Sequence, residues 1–283
     1  MSEVPRVWLI SGCSTGIGRE VAYAALEAGD CVAATARNPD AVADLVEVFP
    51  DRALALALDV TDPAQVREAV SAAESRFGRI DVLVNNAGYG YVSSVEEGID
   101  EDVRRMFDTN FFGAIDLIKA VLPGMRARRA GYVVNMSSIT GFVAMPANVY
   151  YSTSKFALES LSEGLAKELE PFGIRVTAVE PGVFKTDWNA RSMHESEETI
   201  ADYAPTVGER RKLLRTTPEG FGGDPRKVGE ALVMLSRLET PPVHLLLGAD
   251  AVGAARGKIA DLSASIDECE AYGVAAGETD AAE

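Results

Sequence analysis

Val7-Trp8-Leu9-Ile10-Ser11-Gly12-Cys13-Ser14-Thr15-Gly16-Ile17-Gly18 passes from a short apolar run, through a glycine-rich turn, directly into a pattern of helical period. Glycine in such a turn permits a tight reversal and lets backbone N–H groups at the helix N-terminus approach an anion such as a pyrophosphate. The spacing is G-x-x-x-G-x-G rather than the commoner G-x-G-x-x-G, and taken alone it is equally a plain glycine-rich turn. A strand before it and a helix after it favour the dinucleotide reading.

Outward from this turn, short apolar runs alternate with longer stretches of helical period. Strands are expected at 7–11, 31–36, 53–58, 82–85, 132–136, 175–180 and 243–247, with helices near 17–28, 39–48, 63–77, 100–127, 150–170 and 225–238. Runs such as Val82-Leu83-Val84 and Tyr132-Val133-Val134 are apolar throughout, as strands buried on both faces require. The expectation is an α/β fold, a Rossmann-type doubly wound parallel sheet of about seven strands, in a single domain over residues 1–270. The polar stretch 187–222 is too long for an ordinary connection and reads as a lid inserted over a substrate. Residues 271–283 read as an acidic, flexible tail.

Composition narrows the function classes. With 27 Lys and Arg against 43 Asp and Glu, the 283-residue chain carries a net charge of −16, which disfavours nucleic acid and anionic membranes as partners. No apolar run approaches the roughly 18 residues of a membrane span, and Met1-Ser2-Glu3-Val4-Pro5-Arg6 lacks the character of a secretory signal. Three widely spaced cysteines, Cys13, Cys31 and Cys269, suit reduced thiols, so a cytoplasmic location is expected. His194 and His244 are far apart in sequence, and no metal site is expected.

Chemistry concentrates in Tyr151-Ser152-Thr153-Ser154-Lys155, with Asn135-Met136-Ser137-Ser138 upstream. Four residues is just over one helical turn, so Tyr151 and Lys155 share a helix face. A phenol of pKa roughly 10 is a poor acid at neutral pH, but a nearby cation stabilises its phenolate. At the end of the second strand a carboxylate would bind ribose hydroxyls; Ala36 occupies that place and Arg37 follows, an arrangement suited to a 2′-phosphate. Individually these residues have bland readings too: an interface aromatic, a solvated lysine, a strand-end serine, a loop arginine.

Together the motifs resemble the short-chain dehydrogenase/reductase family over roughly residues 5–250. The matches are Gly12, Gly16 and Gly18; Asp59 in Leu58-Asp59-Val60; Asn85-Asn86-Ala87-Gly88; Asn110; Ser138; Tyr151 with Lys155; and Pro181-Gly182 leading to Thr186. Tyr151 is selected over Tyr150 because only Tyr151 stands four residues before Lys155, and the family spacing back from Tyr151 then selects Ser138 over Ser137. The resemblance implies a cofactor held by the turn (Gly12, Ser14, Thr15, Gly16, Ile17, Gly18), by Arg37, by Asp59 and Val60 near the adenine, and by Asn86, Ala87 and Gly88 at the ribose. Pro181, Gly182, Val183 and Thr186 would meet the nicotinamide, with Tyr151 and Lys155 also in contact. Asn85 would brace the central strands. Ser11 departs from the usual threonine, and Thr15 replaces a basic residue often present in NADP-binding members; NADP(H) is nevertheless expected over NAD(H) because of Arg37.

The same resemblance implies a catalytic tetrad of Asn110, Ser138, Tyr151 and Lys155. Tyr151 would exchange the proton, Lys155 would lower its pKa, Ser138 would bind the substrate oxygen, and Asn110, within a long helix, would support a water link to solvent. Tyr89, Phe142, Val143, Met145 and Trp188 would line an apolar pocket for a medium-sized ketone or secondary alcohol. The implied assembly is a homodimer or homotetramer built on the helices that carry Asn110 and Tyr151. A catalytically idle NADP-binding regulator or scaffold is the alternative. The basic run Glu209-Arg210-Arg211-Lys212-Leu213-Leu214-Arg215 reads as the wet face of a helix or, less simply, as an attractor of anionic substrate.

Overall fold

The computed structural model describes residues 4–186, 188–216 and 221–277. In chain order the elements are β1 (Val7–Ile10), α1 (Gly16–Glu27), β2 (Cys31–Ala36), α2 (Ala43–Val48), β3 (Ala53–Ala57), α3 (Pro63–Phe77), β4 (Val82–Asn85), β5 (Gly90–Val92), α4 (Asp100–Phe107) and α5 (Gly113–Arg128). There follow β6 (Gly131–Met136), α6 (Val149–Leu169), β7 (Ile174–Pro181), α7 (Trp188–Arg191), β8 (Met193–Glu195), α8 (Glu209–Thr216), α9 (Arg226–Arg237), β9 (His244–Leu247) and α10 (Ala249–Ala275). Local chemistry sets many boundaries. Asp62 caps α3 by accepting from the N–H groups of Ala64 and Gln65, Pro63 opens the helix, and Gly78 closes it in the left-handed region at φ +86°.

Seven parallel strands form one sheet in the order β3-β2-β1-β4-β6-β7-β9. β1 and β4, the central strands, are buried along their whole length. One apolar layer packs β1, β2 and β4 against α1 and α9; the other packs the opposite face against α3, α5 and α6. The chain winds one way from β1 to β3 and the other way from β4 onward, so the loops after β1 and β4 part and leave a crevice at the carboxyl ends of the strands. Asn85 pairs in register with Asn135 and donates from Nδ2 to its Oδ1 at 2.9 Å, and Asn135 donates to Ser162 Oγ at 2.8 Å. Asn85 thus braces strands β4 and β6.

Four features depart from the sequence reading. A second, two-stranded parallel sheet joins β5 to β8, tying residues 90–92 to 193–195. The helix expected at 100–127 is broken by a π-turn at Asp108–Phe112 that carries Asn110. The segment 39–48 begins with a 3₁₀ turn, Pro39–Val42, before α2. Finally, α10 runs for 27 residues through the start of the stretch read as tail, while residues 278–283 lie outside the described residues. Glycines at 253, 257 and 273 hide this helix from a propensity reading.

Packing at the first turn is tight enough to test. A β-carbon at Gly18 would lie 2.2 Å from Asn86 Nδ2 and 2.5 Å from the Gly12 carbonyl oxygen. Gly18→Ala is therefore expected to lower stability by about 1–3 kcal/mol through overpacking, read as a fall in Tm; an unchanged Tm would contradict this packing.

Candidate active site

The glycine turn is shaped by two polar side chains. Ser11 Oγ accepts from the N–H groups of Asn86 at 2.9 Å and Ala87 at 3.0 Å, while Asn86 Nδ2 donates to the carbonyls of Ser11 and Gly12, each at 2.9 Å. Gly12 and Gly16 take positive φ, +73° and +63°, and a β-carbon on Gly12 would stand 3.0 Å from Ala87 Cα. Thr15 precedes α1 in extended conformation without capping it by its side chain, so the first-turn N–H groups are not taken by a capping hydroxyl. Together the turn and helix end make a cradle closed to any side chain and lined by N–H donors, which fits the pyrophosphate of a dinucleotide. Ser14, Thr15 and Ile17 belong to the rim of this cradle. The Asn86 side chain, expected to flank the cofactor ribose, also holds the turn.

Other expected cofactor residues converge on the same crevice. Thr186 Cβ comes within 3.7 Å of where a Gly16 β-carbon would be, bringing the loop after β7 over the turn. That loop is pinned by Asp250, whose Oδ2 accepts from Val183 N–H at 2.8 Å and whose carboxylate fills the space beside Gly182. Pro181 is the last residue of β7, and Gly182 N–H donates to the Leu247 carbonyl at 2.8 Å. Arg37 is exposed directly after β2. Asp59 turns Oδ1 onto Thr61, accepting from its N–H at 3.0 Å and its hydroxyl at 2.7 Å, and Val60 packs against Gly113. Cys13 is buried, its thiol pushed up to about 12 by desolvation, which makes it a small packing residue rather than a nucleophile.

The four tetrad candidates meet at the carboxyl ends of β4 and β6. Ser138 caps a short 3₁₀ turn, Ile139–Gly141, accepting from Thr140 N–H at 3.2 Å. Its hydroxyl also accepts from Thr140 Oγ1 at 3.0 Å and lies near enough to the Tyr151 phenol to act on its ionisation. Lys155 Nζ donates to the Met136 carbonyl at 2.7 Å and sits 5.7 Å from the Tyr151 ring centroid. Asn110 clamps Tyr89, accepting from its N–H at 3.0 Å and donating to its carbonyl at 2.9 Å. Gly88 is the junction: a β-carbon there would be 3.0 Å from Asn110 Oδ1 and 3.6 Å from Lys155 Nζ. Tyr150, by contrast, donates its hydroxyl to the Val95 carbonyl at 2.8 Å and packs on Gly98 and Tyr91, a structural role.

Burial governs the ionisation of this group. It pushes Tyr151 up to about 12, with the Ser138 hydroxyl opposing, and pulls Lys155 down to about 8, with the Glu159 carboxylate opposing. Burial dominates both shifts, because the two groups lose hydration together and each then favours its neutral form.

A model of the family described as "short chain dehydrogenase" matches residues 6–197. The chain belongs to this family. It is 38% identical over 245 residues to a 3-ketodihydrosphingosine reductase of Bacteroides thetaiotaomicron, covering 86% of this chain and 88% of the relative. The crystal structure of a short-chain dehydrogenase from Streptomyces avermitilis superposes with a TM-score of 0.91 at 42% identity, covering 98% of this chain and 100% of that one. A gluconate 5-dehydrogenase from Burkholderia cenocepacia J2315, in complex with NADP and tartrate, superposes at 0.72 with 27% identity, covering 88% of this chain and 95% of that one. The protein is accordingly an oxidoreductase of the short-chain dehydrogenase family, which acts on small molecules with NAD(P). Among the described residues no helix is long and apolar enough to cross a membrane.

Beside the tetrad of this short-chain dehydrogenase lies an aromatic group. Trp188 and Tyr151 have ring centroids 5.5 Å apart, and a β-carbon at Gly90 would meet Trp188 at 2.6 Å. Tyr89 stacks edge-on with His194 at 5.1 Å. Phe142, Val143 and Met145 are half-buried in the loop behind the Ser138 turn. Position 187 lies outside the described residues, but the following stretch to Thr216 is built into the molecule by a clamp that sequence reading missed. Glu97 Oε1 accepts from the N–H groups of Thr199 at 2.7 Å and Ile200 at 2.9 Å, while its Oε2 accepts from the Ser94 hydroxyl at 2.8 Å. Arg211 lies against it and donates to the Ser196 carbonyl at 2.6 Å and hydroxyl at 2.8 Å. Arg211 is wholly buried, so the basic run is neither a wet face throughout nor an anion attractor: one arginine is a strut, and Arg215 pairs with Glu195 and Glu198.

One turn of α6 beyond Lys155 lies a second ionisable group that sequence reading also missed. His244 places Nδ1 2.8 Å from Glu180 Oε1 and 3.3 Å from Glu159 Oε2, with Nε2 3.3 Å from Glu163. Burial pushes Glu159 up to about 8; for His244 burial acts downward, but the carboxylates prevail and raise it. The separation of His194 and His244 in sequence could not reveal this cluster, because its carboxylates come from α6 and β7.

The Glu97 clamp titrates predictably. Its two backbone donors hold the carboxylate down at about 2 from the usual 4.5, so its stabilising effect is complete above 4.5 and is lost as pH falls toward 2. Amide hydrogen exchange should show the Thr199 and Ile200 protection factors constant from neutral pH to about 4.5, then declining. Glu97→Gln should accelerate their exchange about tenfold or more at neutral pH; equal exchange in the two proteins would contradict the clamp.

Proposed function

We propose that the protein is an NADP(H)-dependent carbonyl reductase, or the corresponding alcohol dehydrogenase, acting on a medium-sized, mostly apolar ketone or secondary alcohol. The observation that carries this reading is the meeting of Tyr151, Ser138 and Lys155 beside Gly88 and Asn110, at the mouth of the glycine cradle. When bound, a nicotinamide cofactor supplies or accepts the hydride. Gly12, Ser14, Thr15, Gly16, Ile17 and Gly18 would hold its pyrophosphate, Arg37 a 2′-phosphate, and Asp59 and Val60 the adenine. Ala87, Gly88, Lys155 and the 181–186 loop would hold the nicotinamide half.

In this reading Ser138 donates a hydrogen bond to the substrate oxygen and steadies the negative charge that grows on it. Tyr151 then gives that oxygen its proton. Its raised pKa keeps the phenol protonated in the resting site, the form reduction needs, and an alkoxide is basic enough to take the proton nonetheless. Lys155 holds the tyrosine and the ribose, and Asn110 keeps Tyr89 and Gly88 in place around them. The apolar wall of Tyr89, Trp188, Phe142, Val143 and Met145, with the 187–222 segment as lid, favours an apolar substrate over a sugar phosphate. A reductase of a ketone stands among the relatives, and a neighbour of known structure holds NADP.

Tyr151→Phe is expected to abolish turnover of a ketone panel followed by NADPH absorbance, a loss of 10²-fold or more, about what general acid–base catalysis contributes, while NADPH binding by fluorescence titration stays near wild type. Full activity in that variant would refute the proton-transfer role and return the idle-regulator reading. Arg37→Asp should weaken NADPH binding at least about tenfold more than NADH binding, in line with a lost charge-assisted bond; equal losses would remove the argument for NADP.

A further inference from the structure

The longest helix of the molecule leaves the body. α10 is anchored by Ala251 and Ala255, which are buried, but from Arg256 to Gly277 every residue is exposed. Along this free portion Ile259, Leu262, Ile266 and Cys269 recur at alternating spacings of three and four, a single seam down one face. Ile259, Leu262 and Ile266 are 57%, 52% and 58% exposed. An exposed seam of this period is the side of a two-helix coil that lacks its partner.

Charge along the helix names the partner. Arg256 and Lys258 flank the start of the seam, while Asp267, Glu268 and Glu270 flank its end. We propose that α10 pairs antiparallel with α10 of a second copy of this chain. Antiparallel packing sets Leu262 against Ile266 of the other copy and Ile259 against Cys269, which brings Arg256 beside Glu270 at both ends of the seam. Parallel packing instead collects the carboxylates of both copies at one end. The same carboxylates oppose an anionic membrane surface, which a basic helix would seek. Each free helix is about 30 Å long at 1.5 Å per residue, so the seam lies at the small end of specific interfaces and the association depends on concentration. This contact is separate from the α5 and α6 faces and does not depend on the catalytic reading.

The test uses the full chain in sedimentation velocity over a concentration series. The wild type should gain mass with concentration. Ile259→Glu with Ile266→Glu, on side chains exposed on the free part of the helix, should halve the limiting mass while leaving Tm unchanged. Arg256→Glu should weaken association, and adding Glu270→Arg should restore it. Ile259→Cys under mild oxidation should form a covalent dimer on a non-reducing gel, and should not do so when combined with Cys269→Ser. A mass unaffected by the two glutamates overturns pairing through this helix. Oxidative cross-linking of the wild type through Cys269 alone, or no rescue by the charge swap, overturns the antiparallel arrangement.

Discussion

The hydrogen bonds by which Ser11 and Asn86 join the end of β1 to the end of β4 position the rest of the site. At this point two parallel strands run out of ladder partners, and their last amides and carbonyls must be satisfied or hydrated. Ser11 Oγ takes two N–H groups, and the Asn86 amide gives to two carbonyls. The link forces the chain after β1 into positive φ at Gly12 and leaves no room at Gly18, so the glycine cradle and the close packing of α1 are consequences of it. On its other side the chain continues to Gly88, where a β-carbon would crowd Asn110 Oδ1 at 3.0 Å and touch Lys155 Nζ at 3.6 Å. Cradle and tetrad are two ends of one polar joint.

Desolvation then decides the character of the chemistry. Tyr151, Lys155 and Glu159 follow one another at four-residue intervals on one buried face of α6, and Glu180 meets them from β7. Burial pushes Tyr151, Lys155 and Glu159 each toward the neutral form, so in the resting site the phenol and the Glu159 carboxyl keep their protons. His244 then bridges this buried row to the surface, since its imidazole is the partly exposed member of the cluster. The 188–216 segment is fastened by the opposite strategy: Glu97 remains charged because two backbone N–H groups and Arg211 compensate it.

Much of this was legible in the residues. The apolar runs of β1, β4 and β6 announced strands buried on both faces, and Gly12, Gly16 and Gly18 announced a turn that side chains cannot enter. Tyr151 was separable from Tyr150 because a helical turn links only the former to Lys155. The turn-tying bonds of Asn86 were not legible, because a residue flanking a cofactor and a residue tying a turn look alike in sequence. Glu97 and Arg211 were invisible for a related reason: Glu97 is bound by backbone groups about a hundred residues away, Arg211 by a serine on another element, and the basic run around Arg211 has the composition of a solvated helix. The 27 residues of α10 escaped because glycines at 253, 257 and 273 lower its helix propensity and most of its residues face no core.

The sequence by itself determined the order of strands and helices, the sharp turn after β1 and the membership of the tyrosine–lysine pair on one helix face, because these depend on local periodicity and on the steric freedom of glycine. Only the tertiary structure decided which way the ionisable groups titrate, which carboxylates surround His244, how residues 188–216 are fastened, and that α10 stands clear of the body. Those outcomes depend on what is removed from water and on contacts between residues distant along the chain, and neither quantity is carried by any short stretch of sequence.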